Sequence, residues 1–264
     1  MKERLDVILV NNGLASSRDN AKRTIMAGLV TVDGIVETKS GQKFDLDSEF
    51  KVKDKLLKYV SRGGLKLEKA IQSFNIKLNG CYAVDMGAST GGFTDCILMN
   101  GALKVYALDV GYGQLDYKLR VDPRVINMEK TNIRYLDTTL IEEPIDFISI
   151  DVSFISLRHM FSVASEILKD TGAVMCLIKP QFEAGREQVG KKGIVRDSKI
   201  HVEVIENVIS YASDNGLFPH GLDYSPVKGT KGNIEYLLYL KKTESSEEIS
   251  PQEVVNIAHG ELDY

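Results

Sequence analysis

The chain has 264 residues, enough for one large domain or for a moderate domain joined to a small one. Its composition, 43% apolar and 27% charged, is that of an ordinary globular protein, and the sequence predicts neither a membrane-spanning segment nor a secretory signal. The net charge of −4 argues against a nucleic acid partner, but residues 1–70 carry 14 Lys and Arg against 10 Asp and Glu, so a basic N-terminal face is compatible with the acidic total.

The cysteines and histidines predict neither disulfides nor a metal site. There are three cysteines, an odd number, far apart in the sequence, and only four histidines. We therefore expect a protein of the reducing cytoplasm that holds no metal ion.

Residues 1–57 predict a small α+β unit. Leu5, Ile8 and Leu9 have helical spacing, and that helix should stop at Asn12-Gly13. The stretch "SSRDNAKRTIMAGLV" predicts a second helix, opened by serine and ended by Gly28. An Asp-Gly pair at residues 33–34 then predicts a β-hairpin.

The stretch "SRDNAKRTIMAGLVTVDG" resembles the S4 RNA-binding domain, in which two helices and a hairpin present basic side chains to RNA. Arg18 and Lys22 lie four residues apart and so share one helix face. The alternative is that these charges are merely solvated. The predicted RNA-binding residues are Arg4, Arg18, Lys22, Arg23 and Arg62.

A Lys-rich stretch joins this unit to the rest of the chain. Residues 58–64 are predicted to form an interdomain linker, with a flexible break at Arg62-Gly63-Gly64, and a helix is expected from Leu65 onward. The second domain is predicted to span residues 65–264.

From Cys81 onward, strand and helix patterns alternate, as in a parallel sheet with helices on both faces. We therefore predict an α/β fold with a Rossmann-like sheet. The helices are expected at 92–99, 157–168 and 199–213. The strands are expected in "CYAVDM", "KVYALDV", "RVINME", "DFISID", "AVMCLIK", "FPHGLDYS" and "IEYLLYLKK", and the apolar run 236–240 predicts that the last of them is interior.

The loop "VDMGASTGGFTD" joins the first of these strands to the first helix. Its glycines do not follow the dinucleotide-binding pattern, and an acid ends each of the first two strands, which suits a ligand with an amino acid and a nucleoside. The alternative is a purely structural glycine turn. We predict an S-adenosylmethionine site with contacts from Asp85, Gly87, Ser89, Thr90, Gly91, Gly92, Phe93 and Asp109.

The sequence also bears on which atom receives a methyl group. Carbon-5 pyrimidine enzymes need a cysteine nucleophile in a loop, but Cys81, Cys96 and Cys176 fall on strands or a helix. Exocyclic-amine enzymes use an Asn/Asp-Pro-Pro-aromatic loop, whereas "DVSF" at residues 151–154 has the acid and the aromatic ring but neither proline. This argues against amine methylation without excluding it.

Four charged residues fall at strand or helix ends: Lys66, Asp151, Lys179 and Glu235. If the last strand is antiparallel to its neighbour, Asp151, Lys179 and Glu235 share one sheet edge, and Lys66 folds over that edge. An ammonium there would lower the pKa of a ribose 2′-hydroxyl and orient it for attack. Ion pairs at sheet ends are also common as purely structural features.

The blocks "YVSRGGLKL", "DMGASTGGFTD", "ALDVGYGQL", "DVSFISL", "IKPQFEAG" and "GNIEYLLYL" resemble, in this order, the TlyA family, an S4 domain fused to an FtsJ-like ribose methyltransferase. The resemblance implies S-adenosylmethionine-dependent 2′-O-methylation of cytidine in the 16S or 23S rRNA of ribosomal subunits. It carries the family's catalytic Lys-Asp-Lys-Glu tetrad onto Lys66, Asp151, Lys179 and Glu235. Tyr59 stands where a linker tryptophan is frequent.

Two other functions stay open at this stage. Members of the family are often labelled haemolysins, so a cytolysin that acts on membranes is one alternative. An RNA-binding ribosome assembly factor without catalysis is the other. The expected protein is a monomer that contacts rRNA and no membrane.

Overall fold

The computed structural model divides into two compact units, an N-terminal unit, Met1–Lys58, and a C-terminal unit, Tyr59–Tyr264. The described residues, which leave out the Arg23 side chain, are 2–15, 17–26, 28–52, 58–229, 232–246 and 248–262.

The N-terminal unit is built from two helices and short strands. A three-stranded antiparallel sheet has the order β3-β2-β5, and β1 pairs with β4. The elements are β1 (Lys2–Arg4), α1 (Leu5–Asn11), α2 (Arg18–Met26), β2 (Val30–Val32), β3 (Ile35–Glu37), β4 (Lys43–Asp45) and β5 (Phe50–Val52).

The core of this unit follows the apolar spacing of its two helices. Leu5 and Leu9 on α1 and Ala21 and Ile25 on α2 are buried together with Val30 of β2. Residues four apart lie on one helix face, so each helix presents a single apolar stripe to the sheet. Both predicted helices are confirmed.

The predicted hairpin is also confirmed. Val32 pairs with Ile35 across a two-residue turn, in which Asp33 and Gly34 both have positive φ angles, 50° and 81°. Such a turn matches the right-handed twist of the strands, which is why Asp-Gly is favoured there.

The C-terminal unit holds a seven-stranded sheet in the order β11-β12-β10-β9-β6-β7-β8. Strands β10, β9, β6, β7 and β8 are parallel, and β12 is antiparallel to both of its neighbours. The elements are α3 (Gly63–Ser73), β6 (Tyr82–Met86), α4 (Gly92–Met99), β7 (Lys104–Leu108), α5 (Tyr117–Arg120), β8 (Val125–Met128), β9 (Ile145–Ile150), α6 (Phe161–Ile167), β10 (Leu168–Ile178), α7 (Pro180–Glu183), α8 (Ser198–Ser213), β11 (Phe218–Tyr224), β12 (Tyr236–Lys241) and α9 (Pro251–Glu261).

Both faces of this sheet are covered, which confirms the predicted α/β class. Along β6, Val84 and Met86 belong to one apolar core and Ala83 to the core on the opposite face. Side chains alternate between the faces of a strand, so two separate cores require apolar residues at nearly every position. All seven predicted strands are present.

The position of β12 decides where the chain places its charged residues. The strand lies between β11 and β10, as its apolar run predicts, and Tyr236 pairs with Ile178 in antiparallel register. The residue before β12, Glu235, therefore lies beside the residue after β10, Lys179. The predicted shared edge is confirmed.

Helix α3 begins earlier than expected. Its first residues are Gly63 and Gly64, so the glycine pair predicted as a flexible break forms the first turn of a helix. A Cβ atom at Gly64 would lie 2.3 Å from the ring of Tyr59, which is buried. The sequence places glycine there because the ring packs directly on the helix backbone, not because the chain must bend.

Among the described residues, no helix is long and apolar enough to cross a membrane.

We predict that Gly64→Ala destabilises the C-terminal unit by about 1–3 kcal/mol, the usual cost of overpacking a close contact. Gly63→Ala is the matched control, because a Cβ there would meet its nearest neighbour, Ser61 Oγ, at an ordinary 3.4 Å. Urea unfolding of both variants measures the difference. Equal stabilities would contradict the close packing of Tyr59 on α3.

Candidate active site

A cavity of about 250 Å³ lies at the carboxyl ends of β6, β9 and β10. Open α/β sheets bind their ligands at this edge, beyond the carboxyl ends of the strands. The residues that line this first cavity come from the start of α3, from the glycine loop and from the strand ends: Ser61, Gly63, Lys66, Gly87, Ala88, Ser89, Thr90, Gly92, Phe93, Asp151, Ser153, Lys179 and Glu235.

The glycine loop needs its glycines for close approach and for backbone conformation. Gly87 has a φ of 91°, and a Cβ there would lie 2.5 Å from the backbone oxygen of Asp151. Gly91 has a φ of 93° and immediately precedes α4, where a Cβ would collide with Leu119. The loop is thus packed between the backbone at the end of β9 and the side chain of Leu119. Of the predicted contacts in this loop, Gly91 does not line the cavity.

Asp85 is placed differently from the prediction. Its carboxylate is fully buried and accepts hydrogen bonds from Thr94 N at 2.9 Å, Thr94 Oγ1 at 2.7 Å and Ser149 Oγ at 2.9 Å. It is not on the cavity wall, because these partners draw it inward. Asp85 instead ties the end of β6 to the first turn of α4 and so shapes the glycine loop. Burial raises the pKa of Asp85 to about 6, against the hydrogen bonds that lower it.

Asp109 also supports the loop. Its two carboxylate oxygens accept hydrogen bonds from Ser89 N at 2.8 Å and Gly111 N at 2.7 Å. The side chain is half-buried beside the glycine loop and is not among the residues that line the cavity. Its contact with a ribose remains a prediction.

The four predicted catalytic residues come together on the wall of the first cavity as two ion pairs. Lys66 Nζ lies 2.6 Å from Glu235 Oε2, and Lys179 Nζ lies 2.5 Å from Asp151 Oδ1. The contact between Lys179 and Asp151 lacks hydrogen-bond geometry, so the attraction is that of two charges. Residues separated by up to 169 positions in the chain thus meet at one edge of the sheet.

Lys179 is held by neutral groups as well. Its Nζ donates hydrogen bonds to the backbone oxygen of Val152 and to Ser153 Oγ, both at 3.0 Å. Only 8% of Lys179 and 2% of Glu235 is exposed. Burying a charge is costly unless it is paired and hydrogen-bonded, and the carboxylates and oxygen acceptors meet that requirement here.

A second cavity, of about 350 Å³, adjoins the first and shares Ser153, Lys179 and Glu235 with it. Phe154 and Phe182 line it, with ring centroids 4.9 Å apart. Its other lining residues are Gln181, Val189, Gly193 and Asn233. The two cavities therefore share a wall formed by these three residues.

Phe154 is unusual in both backbone and exposure. Its φ of 64° is in the left-handed region, which is rare for a bulky residue, and 90% of the residue is exposed. Backbone strain of this kind persists only where the surrounding structure enforces it, and it clusters at functional sites.

The predicted RNA-binding residues have several locations. Arg4 and Arg18 both bind the buried carboxylate of Asp6, at 2.9 Å and 3.1 Å. Lys22 pairs with Asp19 at 3.0 Å on the surface of α2. Both arginines remain partly exposed in these ion pairs. The hydrogen bond from Arg4 lowers the pKa of Asp6 to about 2.

Two further residues of that set differ from these three. The side chain of Arg23 lies outside the described residues. Arg62 is exposed and belongs to the C-terminal unit, where it immediately precedes α3.

The sequence alone missed part of the site. Ser61 and Gly63 line the first cavity, although the "SRGG" stretch that contains them is predicted as linker. Gln181 and Phe182 line the second cavity. The sequence could have indicated them, because they follow the Lys179-Pro180 pair that comes directly after β10, at the sheet edge where ligands bind.

Comparison with known proteins agrees with this architecture. Residues 59–242 match the model of the FtsJ-like methyltransferase family, and residues 3–49 match the S4 domain. The chain is 49% identical to "Putative rRNA methyltransferase YqxC" of Bacillus subtilis, over 97% of this chain and 92% of that protein. It is 38% identical to "16S/23S rRNA (cytidine-2'-O)-methyltransferase TlyA" of Mycobacterium tuberculosis, over 98% of this chain and 96% of that protein.

A solved structure described as "Putative hemolysin from Streptococcus thermophilus" matches with a TM-score of 0.79 and 50% identity, over 98% of this chain and 96% of that one. Fold, site and sequence together define the class, an FtsJ-like methyltransferase with an S4 domain. Within that class, the chain belongs to the TlyA family.

We predict that the Asp85 carboxyl group makes the free energy of unfolding depend on pH. The folded protein keeps this proton up to a pH of about 6, whereas the unfolded chain loses it near 3.8, so the folded state binds more protons between these values. The unfolding free energy should therefore fall as the pH rises through this window, by up to about 3 kcal/mol.

Urea unfolding at a series of pH values, compared with Asp85→Asn, measures this contribution. The other carboxyl groups titrate in both proteins, so the difference between the two curves belongs to Asp85. A difference that stays constant across the window would contradict the raised pKa.

Proposed function

We propose that this protein methylates the ribose 2′-hydroxyl of cytidine in ribosomal RNA, with S-adenosylmethionine as methyl donor. The observation that carries the proposal is that Lys179, which is buried and paired with Asp151, lines both cavities. The substrate class follows the name of the TlyA relative, a 16S/23S rRNA (cytidine-2′-O)-methyltransferase. The name hemolysin belongs to the Streptococcus thermophilus protein and by itself assigns no membrane activity to this chain.

The first cavity is proposed to bind S-adenosylmethionine. Its wall combines the backbone of Gly87 and Gly92 with the hydroxyls of Ser89 and Thr90 and the ring of Phe93. Glycines allow a ligand to approach the backbone closely, and the start of α4 offers N–H groups to a carboxylate. When bound, S-adenosylmethionine supplies a methyl group on a positively charged sulfur. The hydrogen bonds of Asp85 and Asp109 would maintain the conformation of the glycine loop.

Lys179 is proposed to act on the hydroxyl that attacks. Its ammonium would hold the 2′-oxygen near the wall that the cavities share and stabilise the negative charge that develops on this oxygen as the hydroxyl proton passes to water. Asp151 and Ser153 fix the position of Lys179, and Glu235 fixes Lys66 beside it. A preorganised charge of this kind needs no rearrangement during the reaction.

The second cavity is proposed to hold the target nucleotide. The exposed ring of Phe154 offers a face for base stacking, and Phe182 lies next to it. RNA-binding proteins read unpaired bases by stacking them on aromatic side chains. The ribose of a base held there would be close to Lys179, so the substrate nucleotide would have to be unpaired or flipped out of a helix.

The N-terminal unit is proposed to bind RNA through Arg4, Arg18 and Lys22. Asp6 holds both arginines on one surface, and guanidinium groups bind phosphates well. The proposal assigns RNA binding to the N-terminal unit and chemistry to the C-terminal unit.

We predict that Lys179→Ala lowers kcat/KM for methylation of ribosomal subunits by about 100- to 1000-fold, because a preorganised charge is lost. S-adenosylmethionine binding, measured by calorimetry, should remain, since the glycine loop is unchanged. Lys199→Ala, at an exposed position of α8, is the control. Full activity of Lys179→Ala on ribosomal subunits would refute the catalytic assignment.

A second prediction concerns RNA affinity. Arg18→Gln combined with Lys22→Gln should weaken binding to rRNA and reduce the slope of log affinity against log salt by about 1–2, because up to two phosphate contacts are lost. Glutamine is chosen because a glutamate at position 18 would face the buried Asp6.

Lys77→Gln combined with Lys199→Gln changes the net charge equally at two exposed sites of the C-terminal unit and serves as control. Filter binding at several salt concentrations compares the two pairs. Identical slopes would mean that Arg18 and Lys22 are only solvated.

A further inference from the structure

Gln181 has a buried oxygen without a partner. It is the second residue of the short helix α7, directly after Lys179 and Pro180. Its Oε1 atom is buried and accepts no hydrogen bond. Leaving a buried acceptor unpaired costs free energy in any protein, so such an atom in a native structure calls for an explanation.

The surroundings of Gln181 indicate a ligand as the missing partner. Gln181 lines the second cavity together with Phe154 and Phe182, and Lys179 lies on the same wall. An aromatic pair, an ammonium and an unpaired amide oxygen thus border one space of about 350 Å³. Ligand sites typically combine apolar walls with a few polar groups that fix orientation, and Gln181 has the position of such a group.

We propose that Gln181 recognises the base of the target nucleotide, with Oε1 accepting a hydrogen bond from the exocyclic amine of cytosine. This inference rests on the proposed function. Neutral side-chain amides read base edges by hydrogen bonding, and stacking alone carries little sequence information, because every base has an aromatic face. Gln181 would therefore act as a specificity residue and would take no part in methyl transfer.

The chemistry of the base edge gives the direction of the preference. Cytosine presents an amine, a donor, where uracil presents a carbonyl oxygen. With the amide in the orientation of the structure, the buried Oε1 would face a second acceptor opposite uracil and stay unpaired. Sites built to hydrogen-bond one substrate reject an analogue that leaves their buried polar groups unsatisfied.

The test compares cytidine and uridine at one position of the RNA. Reverse-transcription stops at low nucleotide concentration first locate the ribose that the wild-type protein methylates in ribosomal subunits. Subunits with cytidine or uridine at that position then serve as substrates for the wild-type protein and for Gln181→Met, which keeps the side-chain volume and removes both polar atoms. Gln72→Met, at an exposed position on α3, is the matched control.

We expect the wild-type protein and Gln72→Met to prefer cytidine over uridine, and Gln181→Met to lose about 10- to 100-fold in kcat/KM on cytidine with little change on uridine. The ratio of the two rates within one variant does not depend on how much of that variant is folded. Binding of S-adenosylmethionine to Gln181→Met should be unchanged.

Two results would overturn the inference and are distinguishable. If the wild-type protein methylates cytidine but Gln181→Met keeps the same ratio of cytidine to uridine rates, Gln181 does not read the base and the proposed function stands. If the wild-type protein methylates no ribose in ribosomal subunits, the proposed function fails, and this inference fails with it.

Discussion

A buried ammonium constrains the whole sheet edge, because Lys179 is tolerated there only while carboxylates and oxygen acceptors surround it. Asp151 comes from the end of β9, and Glu235 comes from the residue before β12. The antiparallel insertion of β12 next to β10 brings Glu235 to this edge and lets it hold Lys66 of α3. The ion pair between Lys66 and Glu235 therefore depends on the direction of β12. A parallel β12 would begin at the opposite edge of the sheet, and Glu235 would then lie outside the site.

The two aspartates beside the glycine loop show how the site is kept rigid. The carboxylates of Asp85 and Asp109 accept hydrogen bonds from Ser89 N of the loop and Thr94 N of α4, and also from Gly111 N and from Ser149 Oγ of β9. An acid at a strand end is therefore compatible with two roles, ligand contact and loop support. Asp85 has the second role, because its carboxylate is fully buried and satisfied by protein donors. A loop fixed in this way is preorganised for its ligand, which lowers the cost of binding.

The second cavity lies next to the first and shares part of its wall. Ser153, Lys179 and Glu235 line both cavities, so a donor bound in one and a nucleotide bound in the other would meet at these three residues. Phe154, with its strained backbone, and Gln181, with its unpaired oxygen, both line the second cavity. A substrate bound there could compensate for the cost of both features.

The amino-acid sequence alone was enough to predict the α/β class, the helices and hairpin of the N-terminal unit, and the four charged residues of the sheet edge, because apolar periodicity and strand ends are local signals. Which residues contact one another became evident only in the folded structure. That Lys66 pairs with Glu235 and Lys179 with Asp151, that Asp85 turns inward, and that Gly64 lies under the Tyr59 ring depend on which distant segments pack together. Local sequence patterns do not show which distant residues come into contact, so they identify the residues of the site but not the partners of those residues.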